Sequence, residues 1–171
     1  MRANSLFEKL PPHWNCPSCL RSKNAIVRTL ESGELLGQVV EHHDHIRDYP
    51  NAAMRELNGS AWIKCIPHGL GVHLNRIETF IIGFSAVTIC EDCNNAEGSA
   101  KRIVGAHRYF SFAPFEIRSF LKIKPHSKHE IDSQRVSESY NAASNDFELR
   151  WRVAQELFTR AINGEYWMPR R

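Results

Sequence analysis

Several features that would place a protein in a special class are missing from this sequence. No stretch approaches the roughly 20 consecutive apolar residues that a membrane-spanning helix needs, and the opening MRANSLFEKLPPHWNC lacks the apolar run of a secretory signal. No internal repeat or low-complexity tract is present, and the net charge of +3 excludes a strong overall basic field. Hydrophobic residues at 42% and charged residues at 24% are typical of a globular protein. We therefore expect one cytoplasmic domain over residues 1–171, with no membrane partner.

What is present begins with five cysteines, an odd number that argues against a disulfide framework in a reducing compartment. Four of them form two C-x-x-C pairs, Cys16 with Cys19 and Cys90 with Cys93. A two-residue spacer lets one tight turn direct both sulfurs at a tetrahedral zinc ion. The pairs are about 70 residues apart, so spacing alone leaves open whether they share one structural zinc or form redox motifs or buried thiols. The fifth, Cys65, is interpreted as a buried or free thiol.

A second cluster lies in EHHDHIRDYP, residues 41–50, where metal ligands and proton carriers stand side by side. The preceding LLGQVVEHH, residues 35–43, predicts a strand that delivers the histidines at its end. A second strand over 86–90 runs into the later cysteine pair, and a helix capped by Asn94 or Asn95 follows. A strand end and a helix start around one point suit phosphodiester cleavage, because a hard cation can contact the phosphate while an imidazole takes a proton from water.

These two elements together resemble the HNH, or ββα-metal, nuclease superfamily, and most closely its endonuclease VII branch. That pattern is C-x-x-C, then D-H-D-H, then C-x-x-C-N with a small residue and Glu-Gly. The matching residues here are Cys16, Cys19, His42, His43, Asp44, His45, Cys90, Cys93, Asn94, Ala96, Glu97 and Gly98. The resemblance implies an α+β fold with a zinc-stapled HNH core over about 14–105. It leaves an insertion at about 51–84 and a helical C-terminal extension over 106–171.

The resemblance also implies site residues. His43 would be the general base, His42 and Asn94 would hold a catalytic Mg²⁺ or Mn²⁺, and the four cysteines would hold structural zinc. The first acid of D-H-D-H is histidine in this chain. A second register also stays open, because DHI alone resembles the more general HNH string, in which Asp44 would hold the cation and His45 would be the base.

The function implied by the resemblance is a metal-dependent DNA endonuclease, restriction-type or phage-related, that cuts duplex DNA and leaves a 5′ phosphate. A homodimer would let one enzyme cut both strands. The alternatives are a branch-specific DNA resolvase and a non-catalytic zinc module that binds nucleic acid. Lys101 and Arg102, about two turns into the helix, are candidate phosphate contacts, with a solvated face as the alternative. His68 and His73 in the insertion are interpreted as loop histidines, and no motif predicts which bases are read.

The remaining elements are predicted from local signals. Residues 51–64 and 75–82 are expected to be helical, Pro114 begins a further helix, and residues 124–132 form a polar connection. A capping box of Asn145 and Glu148 predicts the start of the last helix, and Gly164 follows its end. Its aromatic stripe predicts a core or dimer face. The stripe consists of Phe147, Trp151, Ala154, Phe158 and Ala161.

Overall fold

The computed structural model describes residues 2–58 and 78–165. Cys65, His68 and His73 lie outside the described residues, as do 59–64 and 75–77 of the two predicted helices. The strands are β1 (Arg2–Ala3), β2 (Arg28–Thr29), β3 (Leu35–Gly37), β4 (Val39–His42), β5 (Val87–Cys90), β6 (Leu121–Lys122) and β7 (Glu130–Ile131). The helices are α1 (Ser5–Lys9), α2 (Tyr49–Asn58), α3 (Glu91–Val104), α4 (Pro114–Phe120) and α5 (Ser133–Ile162), with a 3₁₀ turn at His45–Asp48 and helical residues at 78–81. The predicted mixed α+β class is confirmed.

The centre of the fold is a β-hairpin with a helix packed on it. Strands β4 and β5 are antiparallel, with Val39 opposite Cys90 and His42 opposite Val87. Helix α3 begins at Glu91, directly after β5, and packs against both strands. The order strand, strand, helix therefore brings the histidine-bearing strand under the helix that follows the second cysteine pair.

The predicted strand over 35–43 divides at Gln38. Its first part, β3, pairs in parallel with β1 and antiparallel with β2. Its second part, β4, pairs with β5, while the Gln38 carbonyl accepts a hydrogen bond from Glu91 N at 3.1 Å. The strand thus changes partners at one residue, and that change could not be read from a continuous apolar run.

Helix α3 starts earlier than predicted. Its N-cap is Cys90, so Asn94 and Asn95 lie inside the helix and the capping prediction at these residues was wrong. The carbonyl end closes at Gly105, whose φ of 60° is the left-handed conformation that glycine adopts without strain. The buried residues form one stripe along the helix. Small side chains in this stripe let the helix approach the hairpin closely. The residues of the stripe are Asp92, Cys93, Ala96, Glu97 and Ala100.

Helix α5 is longer than predicted, because it begins at Ser133 with Asp132 as its N-cap. The predicted start at Asn145 was wrong: no glycine or proline interrupts 133–162, and an Asn with Glu three residues later does not end a helix already formed. Gly164, with φ of 74°, follows the end as predicted. None of the described helices has the length and apolar character needed to cross a membrane.

The core lies between α3, α4 and α5. Its largest buried side chains are aromatic, and they meet edge to face at ring-centroid separations between 4.8 and 5.4 Å for Phe110, Phe112, Phe120 and Phe147. The stripe predicted on the last helix is part of this core, since Phe147, Ala154, Phe158 and Ala161 are buried. The C-terminal half of the chain is therefore packed onto the ββα centre through a shared core.

Candidate functional site

The four paired cysteines converge on one point. Their sulfur atoms all lie within 4.8 Å of one another, and all four residues are buried. Cys16 Sγ is 3.9 Å from Cys93 Sγ, and Cys19 Sγ is 3.8 Å from Cys90 Sγ. A tetrahedral ion with metal–sulfur bonds of about 2.3 Å separates its sulfurs by about 3.8 Å, whereas a disulfide needs about 2.05 Å. The cluster therefore has the dimensions to hold a structural metal such as zinc.

Two tight turns produce this convergence. The first pair sits in a knuckle closed by the bridge between Asn15 and Ser22, with Leu20 at a φ of 61° and its N–H donating to the Cys16 carbonyl at 2.8 Å. The second pair sits where β5 passes into α3, so the first turn of the helix aims Cys93 back toward Cys90. The hairpin and the knuckle are thereby joined at their bases.

Arg21 lies against the cysteine cluster and uses all five of its N–H donors. Nε donates to Cys19 Sγ at 3.4 Å, and Nη2 donates to Cys90 Sγ at 3.4 Å and to Asp92 Oδ2 at 2.8 Å. Nη1 donates to the carbonyls of Lys124 and Ser127 at 2.9 and 3.0 Å. Burial lowers the pKa of this side chain, but Asp92 and the sulfurs outweigh it and raise the pKa, so Arg21 is a permanent buried cation.

Charge balance supports a cation among the sulfurs. Hydrogen bonds from the neighbouring cysteines lower the pKa of Cys19, whereas hydrogen bonds with Cys16 and Cys19 raise the pKa of Cys93. Four packed thiols therefore cannot all ionise together unless positive charge is supplied. His129 lies on the other side: burial lowers its pKa, but the sulfurs of Cys19 and Cys90 outweigh burial and raise the pKa to about 9.

The histidines of residues 41–50 do not share one environment. His42 ends β4, is 2% exposed, stacks on Phe84 at 5.2 Å and donates from Nε2 to the Phe112 carbonyl at 2.8 Å. Burial lowers the pKa of His42. The backbone hydrogen bond fixes the proton on Nε2, which leaves Nδ1 as the ring's acceptor, and Nδ1 makes no hydrogen bond within residues 2–58 and 78–165.

His43 and His45 lie side by side, with ring centroids 5.2 Å apart. His43 donates from Nε2 to Asp48 Oδ2 at 3.0 Å, and its Nδ1 is buried without a partner among the described residues. His45 Nδ1 instead accepts from Lys101 Nζ at 3.2 Å. Burial, followed by the Lys101 charge, lowers the pKa of His45 to about 4. Both rings are therefore oriented, but only His43 has an acceptor nitrogen to spare.

Asp44, between these histidines, points the other way. It is 1% exposed; Oδ1 accepts from Ile46 N at 3.2 Å, and Oδ2 accepts from Gly83 N at 2.7 Å and from Arg150 Nη1 at 2.5 Å. A Cβ at position 83 would lie 3.0 Å from the guanidinium and 3.2 Å from the Asp44 carboxylate, so glycine lets the two groups approach this closely without a shift. The Asp44 carboxylate thus caps the 3₁₀ turn and ties it to α5.

A cleft of about 620 Å³ lies beside the histidines. It is lined by His45, by the first three turns of α3, which include Asn94, Lys101 and Arg102, and by residues near β7. The Asn94 amide is half-buried and makes no hydrogen bond within the described part of the chain. The cleft therefore brings an oriented histidine, an unengaged amide and several cations to one surface.

The outcome differs between the predicted site residues. The four cysteines are brought together, and His45, Asn94, Lys101 and Arg102 line one cleft. His43 contacts His45 but does not line the cleft. His42 and Asp44 are buried and do not line it. Sequence reasoning did not predict the roles of five polar residues that contact this region. They are Arg21, Asp48, Lys128, His129 and Arg150.

Of these, only two carried a sequence signal. Asp48 stands in the quoted EHHDHIRDYP, and Arg21 comes two residues after Cys19. Both offer charge next to a proposed ligand, and that proximity could have suggested a supporting role. Lys128, His129 and Arg150 reach the region only through folding.

Comparison with protein-family models, with curated proteins and with solved structures finds no match for this chain. A function therefore has to be argued from the geometry and charge of this chain's own residues.

Proposed function

We propose that this protein is a metal-dependent endonuclease that hydrolyses phosphodiester bonds in duplex DNA. The observation that carries the proposal is the cleft beside the β4–β5–α3 unit. It places His45, with His43 against it, on the same surface as Asn94, and this surface stands on a cysteine cluster of metal-binding dimensions. Phosphodiester hydrolysis needs a group that transfers protons and an oxygen ligand for the cation, both held by a rigid scaffold.

His43 is proposed as the general base. Asp48 holds the Nε2 proton, which leaves the Nδ1 lone pair to take a proton from an attacking water molecule. Asp48 then stabilises the imidazolium that forms, as a carboxylate does when it orients a histidine. Nδ1 of His43 has no hydrogen-bond partner among the described residues, which supports this assignment. The atom is buried, so the proposal requires water to gain access to it when DNA binds.

His45 is less suited to the same task. In its neutral form the ring has one lone pair, on Nδ1, and Lys101 Nζ already occupies it at 3.2 Å. We propose that His45 orients Lys101 at the cleft and that Lys101 and Arg102 contact the phosphates. Using Asp44 as the cation ligand would require its carboxylate to leave Arg150, Gly83 and Ile46.

His42 and Asn94 are proposed to hold the catalytic cation, His42 through Nδ1 and Asn94 through its amide oxygen. A bound Mg²⁺ or Mn²⁺ would stabilise negative charge on the departing 3′ oxygen. The four cysteines are proposed to hold zinc, which would fix the hairpin against the knuckle. Thiolates suit zinc, and the Asn94 amide oxygen suits Mg²⁺ or Mn²⁺, whereas the His42 imidazole is a less usual ligand for these hard cations.

The test is plasmid nicking by the zinc-loaded protein with and without added Mg²⁺ or Mn²⁺. We expect relaxed and linear products that require the cation and are lost in His43→Ala and Asn94→Ala, while zinc content and circular dichroism stay unchanged. His13→Ala, which removes an exposed histidine, is the matched control. DNA binding without any cleavage would instead identify a non-catalytic zinc module, and cleavage confined to branched junctions would identify a resolvase.

A further inference from the structure

The cleft has a second wall outside the ββα centre. Lys128, His129 and Ile131 line it together with α3, and they belong to the β6–β7 hairpin and its turn. The hairpin itself is short, with Leu121 opposite Ile131 and Lys122 opposite Glu130 as its only two pairs. Two pairs cannot hold a hairpin in position by themselves, so the turn must be fixed by other contacts.

Those contacts come from the cysteine knuckle. Arg21 donates to the carbonyls of Lys124 and Ser127 at 2.9 and 3.0 Å. His126, at a φ of 54°, donates from its backbone N–H to the Ala25 carbonyl at 2.9 Å and from Nδ1 to the Val27 carbonyl at 2.8 Å. Four hydrogen bonds thus dock the turn, two on Arg21 of the knuckle and two on residues 25–27 just after it. The Arg21 side chain also contacts Cys19 and Cys90.

The acidic groups around the cleft are already paired with cations, whereas two of its cations have no carboxylate partner among the described residues. The carboxylates of Asp92 and Glu97 are buried, Asp92 with Arg21 at 2.8 Å and Glu97 with Lys101 at 3.8 Å. Lys128 is exposed and makes no ion pair within the described parts of the chain. Arg102 contacts Ser99 Oγ at 2.9 Å and likewise no carboxylate there. Unpaired positive charge therefore faces the cleft from both sides.

We propose that Lys128 is a phosphate contact on the far wall of the cleft and that Arg21 is the positioning residue that holds this wall against the cysteine cluster. The inference rests on the proposed function for its ligand, which is the phosphate backbone of duplex DNA. A strand lying in the cleft is then contacted by Lys101 and Arg102 on one side and by Lys128 on the other. The metal-binding cluster sets the distance between the two sides through Arg21.

The first experiment measures binding of a short fluorescein-labelled DNA duplex by anisotropy across a salt series, with zinc-loaded protein and no added Mg²⁺ or Mn²⁺. Each lost phosphate contact reduces the slope of log affinity against log salt by about 0.9. We expect Lys128→Ala to lose about 0.9 of slope and to bind about threefold to tenfold more weakly at low salt. Lys122→Ala, on the same hairpin but outside the cleft lining, should match the wild type.

The second experiment tests the positioning role. Arg21→Lys keeps the charge but loses the fork of donors, and His126→Ala removes a docking contact without touching the cysteines. Both variants should lose slope as Lys128→Ala does, and backbone hydrogen exchange over residues 124–129 should become faster. If Arg21→Lys loses zinc or fails to fold, His126→Ala still tests whether the docking of the turn matters for DNA binding.

The outcomes separate the inference from the proposed function. Wild-type affinity and slope in Lys128→Ala would overturn the phosphate contact, and wild-type slope and exchange in His126→Ala would overturn the docking of the wall. Weaker binding by Lys128→Ala in a protein that never nicks DNA would support the inference and remove the endonuclease assignment. A wild-type protein that binds no DNA would overturn both.

Discussion

The cysteine pairs and the histidine segment were both predicted as metal sites from short sequence motifs, but the structure arranges them differently. Four cysteines from two distant pairs converge within 4.8 Å. Three histidines and an aspartate from four neighbouring positions separate, with His42 and Asp44 buried and His43 and His45 at the surface of the turn. Closeness in sequence is therefore a poor guide to which residues bind one ion together: the distant cysteine pairs converge, and the neighbouring histidines do not.

The difference follows from local geometry. A C-x-x-C turn bends the chain so that both sulfurs point to one side, and it does this wherever the pair lies. At the end of a strand, successive side chains alternate between faces. His42 and Asp44 consequently face the core while His43 and His45 face the other side. Adjacent potential ligands at a strand end therefore point to different faces, and they do not form one common site.

The largest expected effect is the loss of a cysteine ligand. Cys90→Ser should lose stoichiometric zinc and most of the folding cooperativity, because binding free energy at a structural zinc site is folding free energy, of the order of 10 kcal/mol. Metal content by elemental analysis and thermal unfolding measure this. Cys65→Ser, outside both pairs, is the control, and equal metal loss in the two variants would refute a cluster of four.

The next effect separates the two half-buried histidines, His43 and His45. His43→Ala should reduce the nicking rate by about 10²- to 10⁴-fold, the range expected for loss of a general base. His45→Ala should cost about tenfold, because it removes only the contact that orients Lys101. Single-turnover rates on a supercoiled plasmid provide the measurement. The reverse order would assign the base to His45 and restore the register that begins at Asp44.

A smaller effect concerns the buried Asp44. Arg150→Met leaves this carboxylate without its charged partner, and the expected loss is about 3 kcal/mol of unfolding free energy. Arg152→Met, two residues further along α5 and exposed, should change stability by less than about 0.5 kcal/mol. Urea denaturation gives both values. If the two variants were equally stable, the Arg150 ion pair would not be what holds Asp44 away from the cleft.

The smallest effect is a pH dependence at Glu116. Burial raises the pKa of this carboxyl group, and the charges of Asp146 and Asp44 act in the same direction. A raised folded-state pKa gives stability that is present below the unfolded pKa near 4.5 and is lost as pH rises through the folded value. Glu116→Gln should therefore be more stable than the wild type at pH 7.

The measurement is the difference in melting temperature between Glu116→Gln and the wild type at several pH values. The advantage of the variant should shrink as pH falls toward 4.5. An advantage that stays constant with pH would show that ionisation of Glu116 is not its cause.

Local signals predicted the elements that depend on local physics. The turn at each C-x-x-C, the helix after the second pair, Pro114 at the first position of α4 and the glycine after α5 are all present. The helix starts at Asn94 and Asn145 were wrong, because a capping residue works only where the chain is not already helical. The division of the 35–43 strand into β3 and β4 was missed, because the sequence of one strand does not specify which other strands it pairs with.

By itself the sequence determined which residues could bind a metal and the local turns that aim them, because backbone torsions and side-chain chemistry act over a few residues. Tertiary structure decided the rest: that two distant cysteine pairs form one cluster, that Arg150 holds Asp44, and that Arg21 and Lys128 flank the cleft. The contacts that do this join residues separated by 69 to 106 positions. They are selected by the packing of the shared core, and no local pattern specifies them.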